Sequence, residues 1–110
     1  MNEFYRVAES YPAGSDEYNE VFETMVRLYP DDATANLNAS NVAMSRGDLV
    51  SARKYVAKAG GTPEAVYARG VLAGLDKDYV QARRLLSQAQ SMGVKEAADA
   101  LEQINKIDKK

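Results

Sequence analysis

Carboxylates are the plentiful reactive side chains of this sequence, and they form two close sets: Asp31-Asp32, and Asp76 and Asp78 flanking Lys77. Paired acids can serve general acid–base catalysis or hold a hard cation. Asp31-Asp32 stands where one helix stops and the next begins. Capping and the positive end of a helix dipole account for both charges there. Asp76 and Asp78 fall in a turn, lack the loop length and bidentate glutamate of a calcium loop, and read as caps. No metal site is expected.

The other routes to chemistry close quickly. Histidine and cysteine are both absent, which removes the commonest general base, the commonest metal ligand, every thiolate and any disulfide. No serine sits in a nucleophile elbow or a Ser-x-x-Lys context. Gly60-Gly61 is too short for a phosphate loop. Arg69 stands out as a charge in an otherwise apolar stripe; its stem is expected to lie along the helix with its head in water, the alternative being a carboxylate partner among Asp76, Asp78 and Asp48. The chain is read as a non-enzyme with no cofactor.

Charge narrows the partners. Net charge is −2, and the basic clusters Arg53-Lys54, Arg83-Arg84 and Lys109-Lys110 are short. Nucleic-acid binding asks for a concentrated basic face, so none is expected. No apolar run approaches the ~20 residues of a membrane span, and Met1 to Glu9 carry acids and aromatics in place of the apolar stretch of a signal peptide. The abrupt start at Met1-Asn2-Glu3-Phe4 suggests a piece of a longer protein. With 45% hydrophobic and 27% charged residues, the composition is that of an ordinary globular domain.

Helical periodicity dominates. Tyr18, Val21, Phe22, Met25 and Tyr29 make one stripe. Leu49, Ala52, Tyr55, Val56 and Ala59 make a second; Tyr79, Ala82, Leu85, Leu86 and Ala89 a third; Ala97, Leu101, Ile104 and Ile107 a fourth. Turns separate them at Pro12-Ala13-Gly14-Ser15, Pro30-Asp31-Asp32, Gly47-Asp48, Gly60-Gly61 and Gly93, with Ser15, Asp48 and Thr62 as N-caps. Pro63 and Glu64 suit a first helical turn. The pattern predicts helices over 2–10, 16–29, 32–46, 49–59, 63–74, 79–92 and 94–106. Connections this short make neighbours antiparallel hairpins.

An internal repeat underlies the pattern. Shifting Asp48–Ala59 by thirty positions superposes it on Asp78–Ala89: Asp48 on Asp78, Ala52 on Ala82, Arg53 on Arg83, Val56 on Leu86 and Ala59 on Ala89. The preceding helices share small residues, Ala39, Ser40 and Ala43 in one and Ala68, Gly70 and Ala73 in the next. Small residues let helices approach closely.

Gly47, Asp48, Ala52, Val56 and Ala59, with Gly70, Asp78, Tyr79, Ala82, Leu86 and Ala89, resemble a tetratricopeptide repeat. Ala82, Ala89, Gly93, Ala97 and Leu101 are similar to its SEL-type relatives. The resemblance covers residues 15 to 107. It departs from the family where Asn36 and Val66 replace a large aromatic, where Arg69 replaces a leucine, and in a spacing shorter than the usual ~34 residues. It implies an all-α, right-handed α-α superhelix in a single domain over 1–110, with repeat-like units at 2–30, 32–60 and 63–92 and a capping helix at 94–106. Ile104 and Ile107 would dock that last helix over the exposed repeat end. The run from Leu28-Tyr29-Pro30-Asp31-Asp32 to Asn36-Leu37-Asn38-Ala39 also resembles helical C-terminal domains of Gram-negative envelope proteins, which would place the chain in the periplasm or at the cell surface.

Among the aromatics, Tyr18, Phe22, Tyr55 and Tyr79 belong to core stripes. Tyr67 shares an offset face with Val71, and the same face of the preceding repeat carries Leu37, Asn41 and Met44. In tetratricopeptide-like proteins this face lines a concave groove, so the resemblance implies that these five residues bind a protein or peptide; packing between repeats is the competing role. Asn38 and Asn41 lack the cations of a carboxylate clamp. The expected function is non-catalytic binding of a protein or peptide, with a structural spacer or assembly role in a larger envelope protein as the alternative.

Overall fold

A computed structural model of the chain describes residues 2–108, and for residue 2 the backbone alone. Met1, Lys109 and Lys110, named above for the chain start and a basic cluster, lie outside the described residues. The described residues are all-α, with seven helices in chain order: α1 (Asn2–Glu9), α2 (Asp16–Leu28), α3 (Ala33–Ser45), α4 (Leu49–Val56), α5 (Pro63–Leu75), α6 (Tyr79–Ser91) and α7 (Glu96–Asp108). They divide into two compact units, the first ending at Ala59 and the second beginning at Gly60. That division falls at the glycine pair between the second and third sequence units.

The helices start where side chains can satisfy the first free amides. Ser15 Oγ accepts from Tyr18 N at 3.2 Å, Asp32 Oδ1 from Ala35 N at 2.9 Å, Asp48 Oδ1 from Ser51 N at 3.1 Å, Thr62 Oγ1 from Ala65 N at 3.3 Å and Asp78 Oδ1 from Gln81 N at 3.3 Å. Each cap of this kind is worth about 1 kcal/mol. Hydrogen bonds from the Ser51 side chain and then its backbone hold the Asp48 carboxyl below its usual pKa. Asp76, expected as a cap, is the C-cap residue of α5.

In the first unit, α1 packs on α2, α2 on α3 and α3 on α4. Phe22, Met25, Val26, Ala35, Ala39, Val42 and Ala8 form its core. Tyr5 and Tyr18 meet Phe22 edge-on, and Phe4 meets Tyr29 likewise. Contact between the start of α1 and the end of α2 makes the pair antiparallel. Asn36 is buried, and its Nδ2 donates to the carbonyls of Pro30 (3.0 Å) and Asp32 (2.8 Å). At the place where the resembled family has an aromatic, this chain has an amide tying the loop to the helix.

In the second unit, α5 packs on α6, α6 on α7 and α7 back on α5. Val66, Ala89 and Ala97 form one core cluster, and Ala82, Leu86 and Ile104 another. Arg83 near the start of α6 bonds Asn105 and Asp108 near the end of α7. Ile104 is buried as expected, but Ile107 is 51% exposed. Leu101 and Ala100 pack against the same cluster as Ile104, whereas Ile107 falls in the last turn of α7.

The α3–α4 and α5–α6 turns share one geometry. Asp48 N donates to Ala43 O and Asp78 N to Ala73 O, both at 2.9 Å, the wide bond of a Schellman C-cap. That cap needs one left-handed residue. Gly47 supplies it in the first turn (φ 76°), but thirty positions on it falls to Lys77 (φ 65°), where a side chain crowds the backbone. The hairpins also differ at their closest approach. A Cβ on Gly70 would lie 2.8 Å from the Leu86 Cγ and Cδ2 atoms and 3.2 Å from the Leu86 nitrogen. In the first hairpin the corresponding residues are Ser40 and Val56, both buried, so the larger partner on one helix accompanies the smaller on the other.

Two measurements follow from this packing. Lys77→Gly should stabilise the chain to chemical denaturation by about 0.5–1 kcal/mol, the relief of left-handed crowding less the extra freedom of glycine when unfolded. Gly70→Ala should destabilise it by about 1 kcal/mol, because overpacking outweighs the gain in helix propensity. Adding Leu86→Val should recover part of that loss, giving a coupling of about 0.5 kcal/mol or more in a double-mutant cycle.

Candidate functional site

The five residues expected to line a groove are divided between the units. Leu37, Asn41 and Met44 lie on α3 in the first; Tyr67 and Val71 lie on α5 in the second. Asn41 is exposed and the other four are half-buried. Tyr67 packs against both core clusters of the second unit, and Val71 against the cluster of Ala82, Leu86 and Ile104. Arg69 is half-buried and has an interaction partner.

Asn41 opens on a small cleft of about 170 Å³ between α2 and α3, lined also by Tyr18, Asn19, Phe22, Asn38 and Val42. Tyr5 on α1 reaches the same side of α3, where its hydroxyl accepts from Asn38 Nδ2 at 2.8 Å. The carboxamide face that sequence reasoning noted at Asn38 and Asn41 is thus a real concavity, and α1 and α2 help position it. Leu37 and Met44 are not among its lining residues.

The larger cleft lies elsewhere in the first unit, on the flank of α1 and α2, with a volume of about 410 Å³. That is within the ~300–1,000 Å³ range of ligand clefts. Its origin is geometric. Phe4, Tyr5 and Ala8 direct α1 into the core, which leaves Glu3, Val7 and Tyr11 as the next stripe outward. On α2, Tyr18, Phe22 and Met25 occupy or line the core, and Glu17, Glu20, Val21 and Thr24 fall on the flank. Phe4 and Val21 bridge core and cleft. Val7 and Tyr11 remain 51% and 41% exposed, so the apolar floor is open to water.

The rim is acidic. Glu3, Glu17 and Glu20 line the cleft and make no ion pair with any described residue; Glu23, one turn along α2, is engaged by Arg46 at 2.7 Å. Among the described residues no three carboxylates come together as a group fit to hold a metal ion. The negative charge is spread along the walls of an apolar trough, an arrangement that attracts a cation carried on a larger apolar body.

Sequence reasoning placed a helix over 2–10 but missed this cleft because it assigned that helix no apolar stripe. The signal was present: Glu3, Val7 and Tyr11 recur at four-residue intervals one step off Phe4 and Ala8, and Glu17 and Glu20 flank the stripe of Tyr18 and Val21.

Among the described residues no helix is long and apolar enough to cross a membrane. No protein-family model and no curated protein sequence matches the chain.

Tyr67 offers a direct measurement of packing against recognition. Tyr67→Ala should lower unfolding stability by about 1–3 kcal/mol, the cost of removing a half-buried ring from two clusters. Asn41→Ala, at an exposed amide, should stay within about 0.5 kcal/mol of the parent. Equal stabilities would take Tyr67 out of the core.

Proposed function

We propose that the chain is a tetratricopeptide-like helical-repeat module whose function is non-catalytic binding of a protein or peptide. The observation that carries this reading is the cleft on α1 and α2. Val7 and Tyr11 keep large apolar surfaces in water beside carboxylates that pair with no described residue, and apolar surface left open in a concavity is what a binding partner buries. The hairpins α3–α4 and α5–α6, with the same Schellman turn at the same register, support the repeat half of the proposal. The resemblance to envelope-protein domains would place the partner in the periplasm or at the cell surface.

The apolar floor gives the test. Peptides selected from a display library on the purified chain should bind with at least about tenfold lower affinity to a Val7→Asp, Tyr11→Ala variant, with helicity and melting temperature retained because both side chains are half exposed. Failure to select any peptide on the folded chain would replace this reading with that of a structural spacer, and equal binding by the variant would place the peptide site outside the cleft.

A further inference from the structure

We propose that the occupant of the α1–α2 cleft is a cationic amphipathic helix of a partner protein, seated with its apolar face on Phe4, Val7 and Val21 and its lysines or arginines on Glu3, Glu17 and Glu20. This rests on the binding reading above and specifies the chemistry of the ligand.

Charge segregation is the first support. Residues 2–28 carry six carboxylates and two arginines, whereas the rest of the chain carries ten carboxylates and twelve basic residues. The acidity of the protein is therefore concentrated in the two helices that build the cleft. Of those six carboxylates, the three on the rim have no ion pair with any described residue. An exposed ion pair is worth only about 0.2–1 kcal/mol by itself, so affinity must come from the apolar floor while the rim selects the sign of the partner and speeds its approach.

Dimensions are the second support. The floor runs from Glu3 on α1 to Tyr11 just past its end, and from Glu17 to Thr24 along α2. At ~1.5 Å per residue it is roughly 10–12 Å long. Two turns of a helix fill that length, presenting apolar residues at positions i, i+3 or i+4, and i+7. The same charges repel nucleic acid, anionic lipid surfaces and acidic segments. A bare metal ion finds no converged ligand set and would leave the apolar floor unused.

The experiment uses the whole chain and two labelled probe helices with the same leucine face, one with a lysine polar face and one with a glutamate polar face, followed by fluorescence anisotropy at low and high salt. The lysine helix should bind at least about tenfold tighter than the glutamate helix, and the preference should fade as salt screens the rim. Glu3→Gln, Glu17→Gln and Glu20→Gln together should abolish the preference, and Glu17→Lys with Glu20→Lys should invert it, each variant checked for unchanged melting. Equal binding of both probes, blocked by Val7→Asp, would overturn the cationic occupant and leave peptide binding standing. Binding of neither probe would overturn the occupant, and the display selection then decides peptide binding independently. A lysine-helix affinity indifferent to both the rim and Val7 variants would place binding outside the cleft. Dimerisation of the parent that Val7→Asp removes would make the occupant a second copy, which also overturns the proposal.

Discussion

Close approach between short helices is the constraint on which this chain depends. No described helix exceeds thirteen residues, and isolated helices of that length are marginal in water. They persist by burying surface on one another. Yet eleven of the twenty buried apolar side chains are alanines, each of which contributes little area. A core of alanine gains cohesion only if the backbones come close enough for dispersion contacts to accumulate. Gly70 against Leu86 is the limiting case, with no room for one more carbon. Gly74 does the same for Ile104, whose Cδ1 would lie 2.8 Å from an added Cβ, and so lets α7 settle on α5.

Polar groups then fix which close approach is made. Five N-caps satisfy amides that a tightly packed helix end would otherwise leave unpaired. Asn36 goes further, since its buried amide joins the Pro30 and Asp32 carbonyls to the start of α3. No buried side-chain nitrogen or oxygen among the described residues lacks a hydrogen bond. The polar interior is small and complete, so stability in this chain is a matter of packing, and its unspent surface chemistry lies at the rim of α1 and α2.

That rim shows how function and packing share one helix. On α1, Ala8 and the aromatic rings of Phe4 and Tyr5 serve the core, while Glu3 and Val7, on the adjacent stripe, and Tyr11, just past the helix end, face the cleft. The two stripes are a single residue apart, so the same 3.6-residue periodicity that seats the helix also aligns the floor of the cleft. In the second unit the outward stripe of α5 is used differently. Tyr67 and Val71 pack against residues of α6 and α7.

The sequence alone determined the seven helices and the residues that start them. Stripe spacing and cap chemistry are local, decided within a turn or two of chain by the orphan amides of each helix start. Ser15, Asp48 and Thr62 could therefore be read directly, and Asp32 and Asp78 each as one of two nearby acids. Boundaries moved by a few residues where a local choice is close. After Val56 the ladder tightens to three-residue bonds, Lys58 N to Tyr55 O and Ala59 N to Val56 O, and Val94 is drawn into the preceding C-cap by its bond to Ala89 O. The fate of the second stripes was decided only by tertiary structure. Tyr67 and Val7 look alike as apolar residues beside a core face, and no local rule separates them. What separates them is whether another helix arrives: α7 does in one unit, and on the flank of α1 and α2 the apolar floor stays open to water.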